Sequence, residues 1–238
     1  MTKTLPLALI FTLFSSSLIL AQTKLPGSAS QSRLIVGYLA QFRLDTYPIK
    51  QIETRGAADK LTHILYAFAN VGNARPSSDD EETDYLRAYN ARESVDGKAD
   101  DPAATHTLRG AFNQLLKLKV RHPQLKVLIS LGGANPANSK GFSLASRTAA
   151  ARQKFVAACL DLFIRGNLPH GVSAKGVFDG IDVDWEYPTD CSAGVKAGAE
   201  GCVPEDTANF TLLLAEFRRQ LGEQGKKEIG RASCRERV

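Results

Sequence analysis

Four short apolar runs recur along the chain, at residues 33–39 (RLIVGYL), 61–69 (LTHILYAFA), 125–131 (LKVLISL) and 177–185 (VFDGIDVDW). Each is bounded by Gly, Pro or Asn, and their length and β-branched content predict strands. Between and after them the apolar residues change period. Leu108, Phe112, Leu115 and Leu116 fall at i, i+4, i+7 and i+8, as do Phe155, Cys159, Leu162 and Phe163. Phe210, Leu213, Leu214, Phe217 and Leu221 form a third stripe. These spacings predict amphipathic helices with one buried face. A weaker helix is expected near residues 52–60. Strand and helix thus alternate four times, the pattern of an α/β fold with a parallel sheet and right-handed crossovers.

Two connections are long. Residues 71–104 hold nine acids against four bases, and residues 189–204 carry Cys191 and Cys202. Loops of that length are usually functional or mobile. The N-terminus differs from the rest. Lys3 precedes an apolar run over residues 5–21, and small Ala21 precedes Gln22. That pattern predicts a secretory signal peptide over 1–21, followed by a polar leader over 22–32. Secretion would make disulfides permissible, and a Cys191–Cys202 bridge is expected. Cys159 sits on a helix's apolar stripe and reads as a plain buried residue.

Composition narrows the class without naming a chemistry. The chain has 238 residues, 43% of them hydrophobic, and a formal charge of +5. This excludes a disordered, collagenous or multi-span membrane protein. The positive charge is not clustered, so no nucleic-acid partner is expected. His63, His106, His122 and His170 lack metal-ligand spacing, and no metal or cofactor is required.

The chemistry lies in residues 179–188, DGIDVDWEYP. Side chains alternate faces along a strand, so Asp182, Asp184 and Glu186 share one face and Ile181, Val183 and Trp185 the other. The apolar set can pack beneath helices. The acids then face the sheet's other side, stepped roughly 6.6 Å apart. Neighbouring carboxylates in a confined space cannot all ionise cheaply, so at least one must hold a proton. Glu186 lies last, at the strand's C-terminal mouth, where a protonated carboxyl can serve as general acid. Asp179 is out of phase with the ladder, so a structural or turn role is expected for it and Gly180. A calcium loop is a poor fit, because an EF-hand needs Gly at its sixth position and Glu at its twelfth. Counted from Asp182, those are Tyr187 and Ala193.

The segment resembles the signature of the chitinases of glycoside hydrolase family 18. Val36-Gly37-Tyr38, residues 62–69 (THILYAFA) and Ser130-Leu131-Gly132-Gly133 resemble that family's first three strands. The resemblance implies a (β/α)8 TIM barrel and a substrate of β-1,4-linked N-acetylglucosamine, chitin or its oligosaccharides. It implies that Glu186 protonates the glycosidic oxygen while the substrate's own acetamido oxygen attacks, an exception to the two-carboxylate scheme. Asp184 would hold the acetamido N–H, and Asp182 would share a proton with Asp184. Tyr38 and Ser130 would support Asp182. Phe68 would floor the sugar site, Tyr187 would bond near the acetamido group, and Gly132 and Gly133 would let the backbone approach the sugar. Ala134 stands where the family often has an aromatic residue.

The resemblance runs over residues 33–227 and covers about the first four βα units of a barrel that takes about 250 residues. Residues 228–238 show no strand pattern and are expected to be a non-native tail. The expectation is therefore a secreted chitinase-type enzyme whose 238-residue chain is inactive alone, with no membrane association after signal removal and no obligate protein partner. Two alternatives remain at this stage: an endo-β-N-acetylglucosaminidase acting on glycoprotein glycans, and a chitin-binding lectin, against which the presence of Glu186 argues.

Overall fold

The computed structural model describes residues 33–188 and 203–223. The expected signal peptide, the leader, the Cys191–Cys202 pair and the tail at 228–238 lie outside the described residues. Strands β1 (Val36–Ala40), β2 (His63–Asn70), β4 (Lys126–Gly132) and β5 (Gly180–Asp184) form one parallel sheet in the order β1-β2-β4-β5. A two-residue strand, β3 (Ser77–Ser78), pairs antiparallel with the end of β2. Helices α1 (Ile49–Thr54), α2 (Gly110–Arg121), α3 (Pro136–Ser146), α4 (Ala149–Cys159) and α5 (Asp206–Glu223) lie between and after the strands. A π-helical turn, Leu160–Ile164, extends α4.

The alternation expected from the apolar runs is present, with two corrections. The first helix runs over Ile49–Thr54 rather than 52–60, because Pro48 occupies its N-cap position and Gly56, at φ +68°, follows its end. Helix α3 had no apolar stripe to announce it. Its buried positions are mostly small: Ser139, Gly141, Ser143, Ala145 and Ser146 flank a single Phe142. Gly141 lies so close to the Val71 carbonyl that a Cβ there would collide with it. The helix instead starts from local chemistry. The Asn135 side chain accepts from Ala137 N at 2.9 Å, and Pro136 takes the first turn, where its missing N–H costs nothing.

Aromatic side chains fill the layer between sheet and helices. Tyr66 and Phe178 each meet Phe112 of α2 edge-on, with centroids 5.4 and 4.9 Å apart. Trp185 lies stacked against Phe142 of α3 at 5.5 Å and edge-on to Phe210 of α5 at 5.7 Å. Cys159 is buried here with a free thiol.

Residues 71–104 are built around a buried carboxyl rather than left structureless. Asp84 is 1% exposed, inside the π-turn Glu82–Leu86. It accepts from the Tyr66 hydroxyl at 2.6 Å and from the Ser78 hydroxyl at 2.5 Å, which ties the segment to β2 and β3. Burial outweighs those two hydrogen bonds and raises the Asp84 carboxyl to about 6, from a usual 3.8. A raised carboxyl favours folding while it is protonated. Its contribution is therefore complete below pH 4 and is lost as pH rises through 6. That difference corresponds to about 3 kcal/mol. Urea unfolding of wild type should show this decline, and Asp84→Asn should flatten it. An unchanged pH slope in Asp84→Asn would refute the assignment.

Candidate active site

The β4–β5 register sets the site. Ser130 pairs with Asp182 and Gly132 with Asp184, while Ala67 of β2 pairs with Ser130 on its other side. Alternation along β5 then does what the sequence pattern requires. Ile181, Val183 and Trp185 are each 1% exposed and face the helices. The Trp185 indole N–H donates to Ser139 Oγ at 3.1 Å.

On the other face exposure rises along the ladder. Asp182 is fully buried, Asp184 is 9% exposed, Glu186 is partly buried, and Tyr187 is 36% exposed. The strand ends at Asp184, so Glu186 sits just beyond it rather than within it, and the Glu186–Tyr187 peptide bond is cis. The most accessible of the three acids is therefore the one at the C-terminal end of the strand, the end at which parallel α/β folds place their ligands.

The innermost acid meets two hydroxyl donors. Asp182 Oδ2 accepts from Ser130 Oγ at 2.8 Å and from the Tyr38 hydroxyl at 3.3 Å. Asp182 Oδ1 is buried without a hydrogen-bond partner among the described residues. Desolvation dominates over the two donors and pushes this carboxyl above its usual range. Asp182 is thus the member of the ladder that burial favours as a proton holder.

Asp179 lies just before the start of β5 and is bonded to the neighbouring strand. Its backbone N–H donates to Val127 O at 2.7 Å, and its Oδ2 accepts from Val127 N at 2.9 Å. Lys119 of α2 meets the same oxygen at 2.7 Å and donates to the carbonyls of Gly176 and Val177. This anchor fixes where β5 begins and hence which residues fall into the ladder. Asp179→Ala leaves the Val127 N–H without its acceptor and takes the carboxylate from Lys119, which keeps only its two carbonyl partners, and should cost about 1–3 kcal/mol in urea unfolding. A loss below 0.5 kcal/mol, estimated as the ordinary range for surface changes, would contradict the anchor.

The two glycines that end β4 are required by close approach. Gly132 has φ +113°, and a Cβ there would collide with the Asp184 carbonyl and the Phe142 ring. Gly133 has φ +79°, and a Cβ there would sit 2.9 Å from the Phe68 ring. The Gly133 N–H donates to Asp184 O at 2.9 Å. Phe68 is half-buried beside this turn, at a cis Ala67–Phe68 bond where the β2–β4 register shifts. Gly132→Ala must move the Asp184 backbone, and activity should fall with stability. Wild-type activity in that variant would show that the approach is dispensable.

Asp182, Tyr38, Ser130, Asp184, Gly132, Gly133 and Phe68 are therefore brought together, with Glu186 and Tyr187 following at the open end of β5. Gly180 opens β5 opposite Leu128. Among the described residues no group of three His, Cys, Asp or Glu side chains is placed to hold a metal ion. Sequence reasoning missed Asn138 and Ser139, which brace the site from α3. The Asn-Pro start of that helix was the available signal.

Comparison with known proteins places this geometry. The model of "Glycosyl hydrolases family 18" matches residues 34–234. Chitinase C of Streptomyces lividans is 41% identical over 201 residues, covering 83% of this chain and 29% of that protein. The catalytic domain of the psychrophilic chitinase B from Arthrobacter TAD20 superposes with a TM-score of 0.69 at 41% identity, over 81% of this chain and 49% of that one. A chitinase from Cycas revoluta, solved in complex with (GlcNAc)3, shares the fold at 19% identity and a TM-score of 0.52, over 83% of this chain and 45% of that one. The chain thus spans under a third of that curated relative and about half of the solved domains.

Proposed function

Because this chain belongs to family 18 of the glycosyl hydrolases, we propose that it carries the acid ladder of an enzyme that hydrolyses chitin and its oligosaccharides with retention of anomeric configuration. The observation that carries the reading is the ladder itself. It presents a buried, proton-favouring Asp182 held by Ser130 and Tyr38, then Asp184, then a more accessible Glu186.

Glu186 donates its proton to the glycosidic oxygen as the bond to the anomeric carbon breaks. The N-acetyl oxygen of the same sugar attacks that carbon from the opposite face and gives a cyclic oxazolinium ion. Asp184 accepts the acetamido N–H and offsets the positive charge, while Asp182 holds or releases a proton beside it. Glu186, now ionised, takes a proton from water as water opens the ring, which restores the acid and retains the configuration. Tyr187 orients the acetamido group, and Phe68 with the Gly132–Gly133 turn forms the floor under the sugar.

The remaining parts of the reading are proposals of the same kind. The sheet continues into a (β/α)8 barrel of which the described strands are the first units. Export through residues 1–21 delivers the enzyme to extracellular polymer. Among the described residues no helix is long and apolar enough to cross a membrane.

Colloidal chitin and a high-mannose glycoprotein, digested side by side by the full protein, test the substrate class. Release of N-acetylglucosamine oligomers from chitin is the expected result. Release of glycans from the glycoprotein with chitin untouched would overturn it in favour of the endo-β-N-acetylglucosaminidase, and binding of chitin without turnover would favour the lectin.

A further inference from the structure

Asn138 of α3 is 2% exposed and lies behind the ladder rather than in it. Its side chain bonds to the C-terminal ends of two strands. Oδ1 accepts from Val71 N at 2.8 Å, just past β2. Nδ2 donates to Gly132 O at 2.7 Å, at the end of β4, and lies 3.4 Å from Asn70 Oδ1. The amide orientation follows from its partners, since Val71 N–H can only donate and the Gly132 carbonyl can only accept.

The Gly132 carbonyl belongs to the peptide unit whose N–H is that of Gly133, and this N–H donates to Asp184 O. A continuous chain therefore runs from Asn138 Nδ2–H to the Gly132–Gly133 peptide and on to the Asp184 carbonyl. Hydrogen bonds arranged in series polarise and stiffen one another. The turn needs such a clamp because both glycines have positive φ and lack side chains to fix them.

We infer that Asn138 is a positioning residue for the reaction, which clamps the Gly132–Gly133 peptide and through it sets the backbone of Asp184. The inference rests on the hydrolase reading above. It extends it to a side chain that touches neither substrate nor the acids.

Asn138→Asp is the sharpest test. It keeps the shape and the acceptor for Val71 N–H, but an ionised carboxylate cannot donate to Gly132 O and repels it. When protonated, the same carboxyl can donate again. In the full protein, kcat on a chitin oligosaccharide should fall about tenfold or more at pH 8, with KM changed less than about threefold. The ratio of variant to wild-type activity should climb as pH falls. Amide exchange of Gly133 should quicken about tenfold while β2 and α2 amides keep their protection.

Asn138→Ser, which lacks the second branch, serves if the aspartate variant does not fold; it should show the same Gly133 exchange without the pH-dependent recovery. Unchanged kcat with unchanged Gly133 exchange would overturn the inference. So would uniform loss of protection with normal activity per folded molecule, which marks a purely structural residue. A wild type without turnover ends the hydrolase reading, while the exchange arm still judges the clamp by the same criterion.

Discussion

Glu186→Gln should lower kcat on a chitin oligosaccharide by about 10²–10⁴ while the protein folds normally and still binds substrate. Glutamine keeps the size and hydrogen-bonding reach of the side chain but carries no acidic proton. Glu186 lies at the open end of β5 and is partly exposed, so neutralising it creates no cavity and orphans no buried group. Thermal denaturation should therefore match wild type, and calorimetry should show oligosaccharide binding within a few-fold of it. Residual activity within tenfold of wild type would remove Glu186 from the acid role and, with it, the reading of the ladder.

The second large effect concerns the other face of the same strand. Trp185→Ala should destabilise the protein by about 3–5 kcal/mol, the usual cost of deleting a large buried aromatic side chain. Trp185 is 1% exposed, stacks on Phe142, meets Phe210 edge-on and donates to Ser139. Its removal leaves both helices α3 and α5 without their common partner just past β5. Trp185→Phe keeps a ring in the stack and loses the hydrogen bond, so a cost of about 1 kcal/mol is expected. Urea unfolding of the two variants checks both magnitudes. A loss below 1.5 kcal/mol for Trp185→Ala, estimated as the range of a volume-conserving swap, would show that the outward face of β5 is not where the core closes.

Period-two alternation made the site legible before any coordinates. Once residues 180–184 are a strand, Asp182 and Asp184 must share a face and Ile181 and Val183 the other, and a one-residue slip would bury the acids among the aromatics. Asp179 was legible for the same reason, through its phase. Three-and-four spacing marked α2, α4 and α5, because each buries a row of large apolar side chains. Helix α3 was not legible in this way. It meets the residue after β2 through Gly141, its buried Ser143 donates to Asp206 of α5, and small residues carry no periodic hydrophobic signal.

The acid-rich segment after β2 reads from sequence only as a long loop, functional or mobile, yet Asp84 is the group around which it is built, with Tyr66 and Ser78 as donors. A buried acid cannot be told from an exposed one by composition. Asn138 escaped notice because its role depends on strand-end partners that no local pattern marks: Val71 and Asn70, distant in sequence, and Gly132, six residues back across the helix start.

The central claim is that Glu186 acts with the substrate's own acetamido group as nucleophile. Proton NMR of the first product formed from a chitin oligosaccharide, read within the first minutes before mutarotation, tests it most directly, with a fully deacetylated oligomer as the parallel sample. The account predicts the β-anomer from the acetylated oligomer and no product from the deacetylated one. The α-anomer, or equal turnover of both oligomers, would contradict it.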